Sequence, residues 1–220
     1  MRKPAVDYRD FRLRRINEPM FSHLKLLFGW VVYLALFVLT ENAIPPERCA
    51  VMHTWLDDRI PFWEWFVIPY VFWYVLIAFS LGYFLLYDVP NFRQLQLYLF
   101  TTQMLAVAVY ILFPSRQDLR PTVFPRINML TRLVAFLYKA DTNTGVCPSL
   151  HAAFSLGLAS VWLRRKQTRP FWKAFILTWT VLILLSTMFI KQHSAVDVLC
   201  AVPVCLAAEW VIYRERRRRK

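Results

Sequence analysis

Long runs without a charged residue recur along this chain, and they limit its fold more than any other feature. Between Trp65 and Tyr87, and again between Gln94 and Pro114, there is no Asp, Glu, Lys or Arg. Apolar stretches of about 18 or more residues read as membrane-spanning helices, because only a helix satisfies its own backbone polar groups in lipid. Hydrophobic residues make up 58% of the chain and Gly only 4 of its 220 residues. That composition is polytopic, and it excludes an ordinary soluble domain. The expected fold is all-α: a membrane helix bundle of six transmembrane helices plus short interfacial helices.

The spans read as Leu24 to Thr40, Phe62 to Tyr87, Gln94 to Pro114, Pro148 to about Leu163, Phe171 to Ile190, and Ala195 to Tyr213. Trp and Tyr near the start of the second span suit a membrane interface. Asp88 to Arg93 reads as a turn, and Pro203 as a kink in the last span. Residues 127–139 are too short to cross about 30 Å of hydrocarbon and read as an interfacial or re-entrant helix. Three parts follow: a basic segment at 1–23, a six-span catalytic domain at 24–213, and a polybasic tail at 214–220. The first segment is either an amphipathic helix on anionic lipid or a plain basic tail. The first apolar run reads as a retained span rather than a cleaved signal.

The net charge of +13 invites a nucleic-acid partner, but the charges sit between and beyond the apolar runs, and no nucleic-acid fold signature accompanies them. Both termini and the turns after the second and fourth spans carry 19 of the 27 Lys and Arg residues. The positive-inside rule makes that side cytoplasmic, facing anionic lipid. The cysteines, Cys49, Cys147, Cys200 and Cys205, form no Cys-x-x-Cys pair. Cys49 and Cys147 fall on the same non-cytoplasmic side, as a disulfide or as two free thiols.

Ionisable groups at the ends of apolar spans are functional candidates. His193 and Asp197 are four apart at a helix start, hence on one face. A carboxylate on one ring nitrogen leaves the other free to attack and stabilises the resulting cation. Pro148-Ser149-Leu150-His151 reads as a helix start with Pro in first position. Its free amides and the Ser149 hydroxyl suit an anion, and His151 is placed to protonate a leaving oxygen. Arg120 is a candidate phosphate clamp; Lys191 either neutralises phosphate or reaches to head groups. Asp57 and Asp58 either hold a metal or cap a turn. The set is suited to phosphoryl transfer.

At these residues the chain resembles the type 2 phosphatidic acid phosphatase superfamily. Pro148, Ser149 and His151 match its second motif; Ser186, His193 and Asp197 match its third in register; Arg120-Pro121 match part of its first. The resemblance implies a six-helix membrane fold and phosphohistidine chemistry without metal or cofactor. His193 is then the nucleophile, His151 the acid and Asp197 the orienter, with Arg120, Ser149, Lys191 and Ser186 binding phosphate. Two cations of the family pattern are missing, replaced by Phe113 and Thr187; Lys191 and Arg116 are candidates to restore that charge. The stretch from Leu56 to Phe62 and Lys191-Gln192-His193 are similar to a branch with bacterial lipid phosphatases and inositol phosphorylceramide and sphingomyelin synthases. The Lys and Arg count puts the site on the extracytoplasmic side, with a bacterial cytoplasmic membrane as the expected location, and Asp57, Asp58 and Arg116 are candidate contacts to an acceptor or substrate. Hydrolysis of a phosphatidic acid-like or polyprenyl pyrophosphate-like lipid is the first expectation. The alternatives are head-group transfer, for which fewer fixed cations suit a monoanionic diester, and a transporter or inactive scaffold.

Overall fold

The computed structural model describes residues 3–218. Its helices are α1 (Phe28–Ala43), α2 (Trp55–Arg59), α3 (Val67–Tyr87), α4 (Val89–Leu112), α5 (Met129–Ala140), α6 (Leu150–Arg164), α7 (Pro170–Phe189) and α8 (Ala195–Arg218). The only named sheet among the described residues is a parallel pair, β1 (Ala50–Val51) with β2 (Ser115–Arg116). Five helical stretches are long and apolar enough to cross a membrane: Ser22–Thr40, Glu64–Tyr87, Val89–Leu112, Pro170–Phe189 and Ala195–Tyr213. The protein is an all-α membrane helix bundle.

The expected fourth span is α6, and it differs in kind. At 15 residues it is about 22 Å long, short of the hydrocarbon thickness. It is also the bundle's axis, packing on α3, α4, α7 and α8. Most of its side chains are buried against protein, so its length answers to neighbours more than to lipid. Gly157 lets α4 approach: a Cβ there would lie 2.2 Å from the Tyr98 ring. Phe84, Phe92, Phe154, Leu158 and Ile183 fill the surrounding core.

Two sequence boundaries move for local reasons. The turn expected at Asp88 to Arg93 shrinks to Asp88, whose side chain accepts from the Asn91 amide at 3.4 Å and caps α4. Pro90 is then inside the first turn, where its missing N–H costs nothing. Residues 3–21 form neither an amphipathic helix nor a loose tail. Tyr8 donates to the Leu85 carbonyl and pairs with His23, both at 2.8 Å, Ala5 N–H bonds Leu86, and Phe21 is fully buried. The segment is fastened to the end of α3. At the same end Arg165 donates to Asp88 at 2.7 Å. Residues 1–2 and 219–220 lie outside the described residues, so the expected polybasic tail is described in backbone only, as the continuation of α8 to Arg218.

The other end carries α2, the β pair, α5 and the segments 113–128, 141–149 and 190–194. α5 begins with a capping box in which Asn128 accepts from Thr131 N–H, and its one buried stripe, Thr131 and Val134, packs on Tyr70 and Ile190. The functional candidates are gathered at this end.

Candidate active site

The chain reverses between α7 and α8 at Lys191, whose φ of 56° is left-handed. That conformation usually falls to Gly at a helix end and costs a Lys about 1–2 kcal/mol. The amides of Gln192 and His193 both bond the Thr187 carbonyl, at 2.9 and 3.0 Å. Lys191 Nζ donates to the carbonyls of Asp57 and Ile60, at 2.9 and 2.5 Å. These bonds hold the left-handed turn in place, and the turn aims His193 inward. Burial lowers the Lys191 pKa, against the pull of Asp57 and Asp58.

Asp57 closes the same turn from the other side. It is buried, and its carboxylate accepts from Ala195 N–H at 2.8 Å, from the Ser194 hydroxyl, and from Thr54 N–H and hydroxyl at 2.7 and 2.8 Å. It thus caps α8 and its own helix α2 together. Burial raises its pKa, but the bonds from Ser194, Ala195 and Thr54 outweigh this and hold it below the ordinary carboxylate range. Ser149 N–H donates to the Asp197 carbonyl at 2.9 Å, joining the start of α6 to the first turn of α8. Pro148 lies outside α6, not in its first turn; Ser149 is the N-cap, its side chain accepting from Ala152 N–H.

These ties bring His193, Asp197 and His151 together. His193 Nδ1 stands 3.4 Å from Asp197 Oδ2, which also accepts from Ser194 N–H at 2.8 Å. His193 Nδ1, Asp197 Oδ1 and His151 Nε2 are buried polar atoms without a hydrogen-bond partner. Such orphans are rare outside functional sites. The two imidazoles meet edge to face, 5.6 Å between centroids, and His151 lies against the rings of Tyr70 and Trp73 at 4.6 and 4.3 Å. Both histidines line a cavity of about 510 Å³ between α1, α3, α4, α6 and the loop after α5. Nδ1 turned to Asp197 leaves His193 Nε2 as the atom free to meet an electrophile.

The cations are placed otherwise than the sequence suggests. Arg120 donates to the carbonyls of Tyr138, Asp141 and Thr142 and to Gln192 Oε1, at 2.6–3.1 Å, and lies over the Tyr138 ring. Four of its five N–H donors therefore close the end of α5 and orient the residue before His193. Arg116 pairs with Asp118 at 3.2 Å. Thr187 is buried with its hydroxyl on the Leu184 carbonyl, and Phe113 is 73% exposed. Ser186, expected at the phosphate, gives its hydroxyl to the Ile183 carbonyl at 2.7 Å. Asp58 is exposed and paired with His53 at 2.7 Å. Cys49 and Cys147 are both free thiols. Among the described residues, those lining the cavity include no Lys and no Arg.

Sequence reasoning missed Asp141, Gln192 and the aromatic wall. Asp141 lines the cavity, and burial pushes its carboxyl up against the pull of His193 and Arg120. No motif flags it, since it follows α5 and reaches the site only through the fold. Gln192 lies between Lys191 and His193 in the sequence, and nothing there gives its side chain a role.

Residues 94–220 match the family model described as PAP2 superfamily. The chain belongs to that superfamily, the type 2 phosphatidic acid phosphatases. The matched part carries α6, α7 and α8, and with them every motif residue named above. Membership makes this a lipid phosphate enzyme of the phosphatase and phosphotransferase type. No curated protein and no solved structure matches the chain.

Proposed function

We propose that the protein is an integral membrane enzyme that hydrolyses a lipid phosphate ester through a phosphorylated His193. The observation that carries this reading is the buried His193–Asp197 pair, 3.4 Å apart, facing His151 across a cavity. His193 Nε2 attacks phosphorus and the P–O bond to the lipid breaks. His151 gives the leaving oxygen its proton, and Asp197 stabilises the imidazolium. Water then attacks the phosphohistidine, with His151 as base, and regenerates the ring. The excess of Lys and Arg at the opposite end of the bundle supports a site on the extracytoplasmic side of the membrane.

A second reading, transfer of a phosphate-bearing head group to a lipid hydroxyl, is favoured by one observation: Arg120, Arg116 and Lys191 all bond the protein itself. A diester monoanion asks less of fixed cations than a monoester dianion does. The test compares wild type with His193→Ala in metal-free lipid micelles, offering phosphatidic acid, then a diester phospholipid with diacylglycerol. Phosphate release lost in the variant supports hydrolysis; a new head-group-bearing lipid without free phosphate supports transfer. Turnover unchanged by the variant overturns both.

A further inference from the structure

The lining of the cavity runs against the charge of the chain. The protein has 27 Lys and Arg and 14 Asp and Glu, yet among the described residues the only charged side chain on the lining apart from the histidines is a carboxylate, Asp141. A chamber built solely for a phosphate dianion would show the opposite. Around Asp141 stand aromatic rings. Tyr70, Tyr74, Tyr110 and His193 line the same cavity. Tyr110 gives its proton to the Pro148 carbonyl at 2.7 Å rather than to the carboxylate. Trp73 adds its ring beside His151 and presents a buried Nε1 with no partner. Arg120 pulls on Asp141 from its bonds to the carbonyls of Tyr138, Asp141 and Thr142 and to Gln192 Oε1, and does not line the cavity.

Rings around a single carboxylate form the arrangement that takes an organic ammonium ion, by attraction to the ring faces and one charge contact. We infer that the cavity seats the cationic ammonium of a phosphodiester lipid's head group between Asp141 and the rings of Tyr70, Trp73, Tyr74 and Tyr110, while the phosphate lies at His193. The inference rests on the phosphohistidine reading for the place of the phosphate, and takes it in its head-group form. The apolar part of the lining, with Leu34, Ile77, Ala78 and Leu81, receives hydrocarbon.

The test uses the full chain carrying His193→Ala, so that nothing turns over, in phosphatidylglycerol nanodiscs. Dihexanoyl phosphatidylcholine, dihexanoyl phosphatidylethanolamine and dihexanoyl phosphatidic acid are titrated below their micelle concentrations and followed by calorimetry. The two ammonium lipids should bind about tenfold or more tightly than phosphatidic acid. A trimethylated head group favoured over the primary amine marks the rings as the main contact; the reverse marks Asp141. Adding Asp141→Asn should remove the preference, and Asp141→Glu should keep most of it, which separates lost charge from a misfolded site. Phosphatidic acid binding tightest, or a preference untouched by Asp141→Asn, overturns the inference. Wild-type turnover is read alongside. His193-dependent turnover that favours phosphatidic acid refutes the head-group site and leaves the phosphohistidine reading standing. No turnover on any ester, with ammonium binding intact, does the reverse.

Discussion

At the scale of the residue, position in a motif and task in the structure separate. His151, His193 and Asp197 were legible in the sequence because their spacing on helix starts fixes their geometry. Lys191 and Arg120 were legible as important but not as what they do. Their partners are mostly backbone carbonyls, those of Lys191 more than 130 residues away, and no side-chain pattern announces a carbonyl. Lys191→Ala should therefore lower the thermal unfolding midpoint in detergent, with about 1–3 kcal/mol lost from its two buried bonds. Lys191→Gly should recover about 1 kcal/mol of that by relieving the left-handed backbone. A Lys191 that served only to neutralise phosphate would raise KM in both variants and leave the midpoint alone. Asp57 gives a pH signature. Its folded pKa is depressed, so its stabilisation is complete above the unfolded value of about 3.9 and is lost as pH falls through the folded value. Asp57→Asn should cost about 1–3 kcal/mol near neutral pH, and its unfolding midpoint should fall less than that of wild type as pH drops below about 4.

At the scale of the element, hydropathy found the rods and missed what orders them. The five long helices stand out because lipid demands uninterrupted apolar length. α6 was found as a span, but its shortness and central burial follow from packing, which periodicity does not encode. The approach of α4 to α6 depends on Gly157. Gly157→Ala should force the buried Tyr98 ring from its place and cost about 1–3 kcal/mol by overpacking. Differential scanning fluorimetry in detergent reads this directly, and an unchanged midpoint would show that the helices yield without cost. Residues 3–21 were the least legible. Their basic, apolar-dotted composition fits an amphipathic helix, but hydrogen bonds from Tyr8 and Ala5 to the last turn of α3 hold them in an irregular path. Such long-range pairing leaves no periodic trace.

At the scale of the whole molecule, the bundle gathers its chemistry at one end and its basic turns at the other. The account places the first end outside the cytoplasm. In a cysteine-free background, Asp58→Cys should react with a membrane-impermeant maleimide on intact cells, and Lys166→Cys only after lysis; both positions are exposed. The reverse pattern would invert the topology. The central claim is chemical: a lipid phosphate passes through His193. The most direct measurement is a rapid alkaline quench after mixing purified protein with phosphatidic acid, or with phosphatidylcholine, each labelled with ³²P at its phosphate. The account predicts label on wild-type protein that survives base, is released by acid, and is absent from His193→Ala. Label that persists in His193→Ala, or wild-type turnover with no acid-labile label at any quench time, would contradict it.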